Sequence, residues 1–250
     1  MLRRVLLLFA LTIPASAVAA QDTRALVSRT DSALARLDVP AARAAIEAAY
    51  RQAPRDYDVL WRLARVFVLT GDAAPKSAQE QLYRNAQAYA DQAIKANPSG
   101  AEGYVRRAAA AGKVGLFKGV LDAADLVEAV KADAEKAIAL NNAGAQTTAA
   151  AHYILGRTHL KLTETPRPLR MPLGLGWGNV ADATKYLKTA TELRPGFIMY
   201  QLEYARALLK GGQAPQAKAL LGAIAALAVQ EPGDEERKKE AADALREAGN

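Results

Sequence analysis

The chain repeats one short helical pattern three times. The copies are DYDVLWRLARVFVLTGD (56–72), TAAAHYILGRTHLKL (148–162) and GFIMYQLEYARALLKGG (196–212). In each copy a large apolar residue stands about three places before a Leu-Ala, Leu-Gly or Tyr-Ala pair. Repeats of this size are helical units that bury their apolar faces against their neighbours. The sequence therefore predicts an all-α fold, a tetratricopeptide-like α-solenoid built from stacked helical hairpins.

Turn residues divide the chain into about five hairpins. Asn97-Pro98 follows Pro54 by 44 residues, and Asn141-Asn142 follows after a further 44, against about 34 in a minimal tetratricopeptide unit. A strongly charged last helix at 234–247 gives the polar outer face that the end of a solenoid requires. The predicted hairpins span residues 22–52, 57–96, 101–140, 146–193 and 197–229.

One segment, Thr163–Asn179 (TETPRPLRMPLGLGWGN), departs from the helical pattern. Its three prolines and three glycines argue against regular helix. Irregular loops of this length in a compact domain are often functional. Met171, Leu173, Leu175 and Trp177 are costly to leave in water, so we expect them to pack onto the solenoid or onto a ligand.

Residues 1–20 have the pattern of a secretion signal. Arg3 and Arg4 precede an apolar stretch, Val5 to Ile13, and small residues then lead to Ala20. This stretch is too short for the roughly 20 residues that span a bilayer, so we expect cleavage after Ala20 or one residue earlier. Residues 21–250 then form one domain without a membrane span, located in the periplasm or secreted.

Composition excludes several classes of function. The chain has no cysteine, which excludes disulfides, thiol catalysis and iron–sulfur clusters. The formal charge is +7, or +5 without the two arginines of the signal, which is too mild for a nucleic-acid binder. No nucleophile elbow, phosphate-binding loop or HExxH motif occurs, so we predict no catalysis and no cofactor.

Two histidines are the candidates for a metal site. His152 and His159 stand seven residues apart and so share one helix face. The sequence places no third ligand beside them, and His159 falls in a packing position of the repeat. We therefore expect both rings to serve packing, and we predict no metal site.

Several longer elements resemble one family of helical-repeat proteins. Leu60–Arg65 reads LWRLAR, Gly115–Lys118 reads GLFK before a helix at 124–140, and Leu155–Arg157 reads LGR. Together with Glu192–Phe197 (ELRPGF) and the two lengthened units, they make residues 41–245 similar to the regulator of microtubule dynamics family. The resemblance implies a helical-repeat fold. Some animal members are associated with microtubules, and one is described as binding lipid.

The tetratricopeptide resemblance also implies where a ligand binds, because the first helix of each repeat lines the concave face of such a superhelix. Two positions one turn apart point inward. In the last four units the first is occupied by an apolar or aromatic residue, and in three of these units the second is occupied by arginine. In chain order these pairs are Trp61 and Arg65, Val105 and Ala109, Tyr153 and Arg157, and Leu202 and Arg206.

This row of arginines beside apolar groups predicts capture of an anionic, partly apolar ligand, such as a peptide C-terminus or a lipid. The alternative is that the arginines pair with acidic residues of neighbouring helices, for example Glu102 or Glu203. The first functional hypothesis is a non-catalytic scaffold for a protein or peptide partner. The second is a carrier of a lipid or small organic anion, with Met171–Trp177 as a lid.

Overall fold

The computed structural model describes residues 15–118 and 123–249, and for residues 15–19 the backbone alone. Within these ranges the regular structure is helical and no strand occurs. The helices are α1 (Ala15–Ala35), α2 (Val39–Gln52), α3 (Tyr57–Ala73), α4 (Lys76–Ala96), α5 (Ala101–Gly115), α6 (Ala124–Leu140), α7 (Gly144–Leu162), α8 (Arg167–Arg170), α9 (Val180–Leu193), α10 (Ile198–Lys210), α11 (Ala214–Ile224) and α12 (Asp234–Gly249).

The helices form five hairpins and a terminal helix. The pairs are α1 with α2, α3 with α4, α5 with α6, α7 with α9 and α10 with α11, and α12 packs on the last pair. The first helices also contact one another along the stack, α3 with α5, α5 with α7, α7 with α10 and α10 with α12. They form an inner layer, and the second helices form an outer layer. The predicted tetratricopeptide-like solenoid with a capping helix is confirmed.

Small residues set the spacing between the two layers. Ala86 and Ala93 of α4, like Ala183 and Ala190 of α9, are completely buried, as the repeat pattern predicts. Gly156 of α7 approaches α9 so closely that a Cβ atom there would lie 2.6 Å from Leu187 Cγ and 3.1 Å from the Ala183 carbonyl oxygen. Close approach of this kind allows the helix faces to interdigitate at high density.

Two second helices are shorter than predicted. Helix α6 begins at Ala124 rather than Phe117, because α5 ends in a tight turn over Leu116–Lys118. Helix α11 ends at Ile224 rather than Val229. Further along, the buried carboxylate of Asp234 accepts the backbone N–H groups of Gln230 and Glu231, each at 2.9 Å, and holds the connector before α12.

The predicted signal sequence falls mostly on residues 1–14, which lie outside the described residues. Residues 15–20 form the beginning of α1, which continues without a break to Ala35. The predicted first helix began later, at Asp22. No helix in the described ranges has the length and apolarity that crossing a bilayer requires.

The loop between α7 and α9 is more regular than its prolines and glycines predict. It contains the single-turn helix α8 and two 3-10 turns, Met171–Leu173 and Leu175–Trp177. Pro166 and Pro168 begin a helical turn here, since proline is tolerated in the first turn of a helix. Leu175 is buried, which agrees with packing onto the solenoid, whereas Met171 is 55% exposed and so is not packed onto the solenoid.

One buried arginine organises this loop. The Arg170 guanidinium donates hydrogen bonds to three backbone carbonyl oxygens: Thr165 at 3.2 Å, Leu175 at 2.6 Å and Gly178 at 2.8 Å. The Arg170 residue is only 5% exposed. Carbonyl groups that irregular backbone would leave unpaired are thus satisfied by one side chain.

Candidate binding groove

Trp61 and Arg65 lie one turn apart on the inner face of α3. The Trp61 ring is half-buried beside two guanidinium groups, with Arg62 Cζ 4.0 Å and Arg106 Cζ 5.5 Å from its centre. Its Nε1 donates to Asp58 Oδ1 at 3.0 Å. Cation–π attraction and this hydrogen bond hold the indole in place on α3.

Tyr153 and Arg157 occupy the corresponding positions of α7. The Tyr153 ring stacks on Tyr200 of α10, with ring centres 4.8 Å apart and an interplanar angle of 27°. Burial raises the pKa of Tyr153, and it raises the pKa of Tyr200 to about 12, so both hydroxyls are neutral at physiological pH. Arg157 is half-buried, and within the described chain no hydrogen bond or ion pair joins its guanidinium to another residue.

Arg65 makes a contact across the groove to the far end of the chain. Its Nη2 lies 3.5 Å from Oε1 of Glu231, in the connector between α11 and α12. The connector is held rigidly, because Asp234 is completely buried and its Oδ1 accepts a 2.7 Å hydrogen bond from Arg237 Nη1. The solenoid therefore curves far enough for its C-terminal end to face its second hairpin. We refer to the Arg65–Glu231 contact as the clasp.

Positive charge exceeds negative charge around the clasp. The pKa of Arg65 is lowered by burial and then by the charge of Arg106, with a smaller contribution from Arg194. Glu231 and Glu102 act in the opposite direction on that pKa. Glu102 is already engaged, however, since it accepts from Arg106 Nη2 at 2.6 Å and from the hydroxyl of Thr147. Three guanidinium groups thus face two carboxylates.

The predicted pair on α10 has a different environment. Leu202 is 2% exposed and belongs to the core cluster under α12, together with Leu221 and Ile224. Arg206 donates to Glu203 at 2.7 Å and to Glu240 of α12 at 2.6 Å. Leu202 is therefore a core residue, and Arg206 pairs with neighbouring acidic residues in the way that the alternative hypothesis describes.

Trp177 contacts the outer layer. Its Nε1 donates to Glu128 Oε1 of α6 at 2.5 Å, and Lys131 Nζ of the same helix lies 5.1 Å from the ring centre. The edge of the ring meets His159 of α7, with centres 4.8 Å apart. Trp177 thus attaches the irregular loop to α6 and α7, whereas the other predicted residues lie on first helices.

The structure brings Trp61 and Arg65 together, and likewise Tyr153 and Arg157, but it adds residues that the sequence analysis missed. In α5 the repeat register selected Val105, which is buried, and Ala109, while the side chain that reaches Trp61 of α3 is that of Arg106. The spacing of Glu102 and Arg106 on one helix face is a signal that identifies it. The other residues that the sequence analysis missed are Arg194 and Glu231, and Tyr200 beside them is a core residue at 2% exposed.

The two histidines lie in an aromatic cluster. Their ring centres are 5.8 Å (His152) and 5.5 Å (His159) from that of Tyr186, and His159 Nδ1 accepts the backbone N–H of Asn179 at 3.4 Å. Burial lowers the pKa of both rings, which favours the neutral form. Across the described residues, no group of three or more His, Cys, Asp or Glu is arranged to hold a metal ion.

Solved structures with the same fold cover nearly the whole chain. TTC0263, a tetratricopeptide protein of Thermus thermophilus, has a TM-score of 0.67 at 19% identity, over 90% of this chain and 99% of its own. PilF of Pseudomonas aeruginosa has a TM-score of 0.55 at 15% identity, over 92% of this chain and 88% of its own. PilW, a type IV pilus biogenesis factor, has a TM-score of 0.54 at 18% identity, over 93% of this chain and 88% of its own. At these identities the likeness shows the fold alone.

The sequence also matches one family model, described as Regulator of microtubule dynamics protein 1-3, over residues 26–249. The match extends from α1 to the end of α12 and so includes every helix of the groove. No curated protein matches the sequence.

Proposed function

The chain belongs to the regulator of microtubule dynamics protein 1-3 family, and from this premise we propose that it is a non-catalytic scaffold that binds a protein or peptide partner in the groove of its first helices. The inner layer offers a surface that continues over α3, α5, α7 and α10. Its accessible side chains include guanidinium groups and the Trp61 indole, and the phenols of Tyr153 and Tyr200 are buried behind them, at 9% and 2% exposed. Burial raises the pKa of both phenols, so they are neutral at physiological pH.

The observation that carries this proposal is the state of Arg157. It is half-buried beside the stacked rings of Tyr153 and Tyr200, and among the described residues no carboxylate bonds to it. A guanidinium fork in this state is suited to an incoming carboxylate or backbone carbonyl. Arginine and tyrosine are also among the residues that dominate the binding energy of protein interfaces.

We expect Arg157→Glu to abolish capture of the natural partner, because the substitution places a negative charge where the partner supplies its acceptor. The measurement is quantitative crosslinking in the native host, with the protein carrying an affinity tag. The matched control is Lys185→Glu, which makes the same change of charge at an exposed site on α9, in the outer layer. Equal partner recovery from both variants contradicts the groove proposal.

A carrier of a lipid or small organic anion is the alternative outcome, since the same arginine and aromatic groups suit such ligands. Native mass spectrometry of protein purified from its own host separates the two. A bound species of a few hundred daltons that Arg157→Glu loses supports a carrier. Protein crosslinks without such a species support the scaffold.

We further propose that the protein works outside the cytoplasm, in the periplasm or secreted, on the basis of the signal pattern of residues 1–20. The expected result is a mature N-terminus at Gln21 or Ala20 in protein recovered from the non-cytoplasmic fraction. The measurement is N-terminal sequencing by mass spectrometry. Recovery of the intact N-terminus in the cytoplasmic fraction contradicts this part of the proposal.

A further inference from the structure

We propose that the groove contains a binding site for a peptide carboxylate, formed by Arg65, Arg106 and Arg194, and that Glu231 occupies this site when no partner is bound. The inference rests on the proposed function and specifies its partner: an extended peptide with an acidic side chain or a free C-terminus next to an apolar residue. Glu231 then acts as an internal competitor for the partner.

The geometry of the clasp is that of an exchangeable contact. Arg65 and Glu231 meet through a single pair of atoms at 3.5 Å, whereas a well-formed guanidinium–carboxylate bond is about 2.7–2.9 Å and is frequently bidentate. Both side chains are nevertheless largely buried, at 28% and 15% exposed. Arg65 is thus desolvated but incompletely paired, and a carboxylate that approaches both of its NH₂ groups makes better bonds than Glu231 does.

The excess of positive charge around the clasp can be neutralised by a further anion. Arg194 donates to the amide oxygen of Gln230 at 3.4 Å, and its guanidinium lies 3.6 Å from the ring centre of Phe197. Within the described residues no carboxylate forms an ion pair with it. Arg106 shares Glu102 with Thr147. In this part of the described chain, Glu231 is therefore the acidic group of the cluster that can be displaced.

Aromatic rings beside the clasp indicate what accompanies the carboxylate. Phe197 and Tyr200 meet edge to face with centres 4.4 Å apart, and Tyr200 continues into the stack with Tyr153. Trp61 lies on the other side, against Arg106. Phe197 and Tyr200 are buried, at 1% and 2% exposed, so an apolar side chain next to the acidic group contacts the half-buried Trp61 ring. The planar carboxylate of Glu231 in the site favours a peptide over a phosphate ligand.

The test is isothermal titration calorimetry with three probes: a five-residue peptide that ends in Leu-Glu with a free carboxyl group, its neutral counterpart that ends in Leu-Gln amide, and inorganic phosphate. We expect Glu231→Gln to bind the acidic peptide about tenfold more tightly than the wild type. The neutral peptide should show no difference. We expect Arg65→Gln to lose the acidic peptide, because the substitution removes the central guanidinium of the site.

The matched control is Glu235→Gln, which removes an exposed carboxylate four residues further along and should bind as the wild type does. Equal affinity of Glu231→Gln and Glu235→Gln for the acidic peptide overturns the inference. A gain for phosphate without a gain for the peptide overturns the assignment to a peptide carboxylate. Melting temperatures close to that of the wild type establish that the variants are folded.

A double variant, Arg65→Glu with Glu231→Arg, keeps the clasp but moves the guanidinium to the other side. It should be as stable as the wild type and bind neither peptide. Binding of the acidic peptide at wild-type affinity overturns the inference. The proposed function is tested separately. If Arg157→Glu loses the natural partner while Glu231→Gln gains nothing, the scaffold stands and the carboxylate site does not.

Discussion

Replacing Gly156 with alanine is expected to lower the free energy of unfolding by about 3 kcal/mol, although alanine normally favours a helix over glycine. The new methyl group would lie 2.6 Å from Leu187 Cγ and 3.0 Å from the backbone nitrogen of Leu187. A side chain can rotate away, but the backbone of α9 cannot, so α7 and α9 must separate. The measurement is urea-induced unfolding followed by circular dichroism.

Gly112→Ala is the control for this prediction. Gly112 is also a helical glycine, in α5, but a Cβ atom there meets nothing within 4 Å. Alanine should therefore raise the stability by up to about 1 kcal/mol, through its helix propensity alone. If both variants are stabilised, the close approach of α7 and α9 is not what requires glycine at 156.

Replacing Arg170 with methionine is expected to destabilise the protein by about 3 kcal/mol, because a side chain of similar length leaves carbonyl groups in the loop without a donor. The carbonyls of Leu175 and Gly178 are the ones that it reaches most closely, at 2.6 and 2.8 Å. The loop should also open. The measurements are the unfolding free energy and the rate of cleavage within 163–179 by a nonspecific protease.

Arg167→Met serves as the control, since Arg167 lies in the same single-turn helix and its side chain is exposed. A change of less than about 0.5 kcal/mol is expected, as for most surface substitutions. Comparable losses of stability for the two variants would show that positive charge in the loop matters, rather than the three carbonyl bonds.

The fold was predictable because the residues that determine the packing of each repeat can be recognised in the local sequence. Gly156 beside Leu155, and alanines such as Ala86 and Ala183, mark the places where helices approach, and prolines mark where they stop. Each of these signals acts over a few residues, so counting along the chain recovers the hairpins. Helix ends were less predictable, as at Ile224, where α11 ends five residues before the predicted Val229.

The groove was only partly predictable, for a related reason. Repeat register identified Trp61 with Arg65, and Tyr153 with Arg157, because each pair belongs to one helix. It selected Leu202, whose burial depends on α12, an element that repeat counting treats only as a cap. Glu231 carries no signal at all, since its importance depends on the curvature accumulated over the hairpins between it and Arg65.

The clasp has a mechanical consequence. An ordinary repeat array is an open stack in which each unit touches only its neighbours, so its two ends fray independently. Here a contact between residues 166 positions apart links the second hairpin directly to the connector before α12. Bending of the array is then coupled, through the clasp, to movement of its terminal helix. A displacement of the connector before α12 is therefore felt directly at the second hairpin, and not only through the hairpins between them.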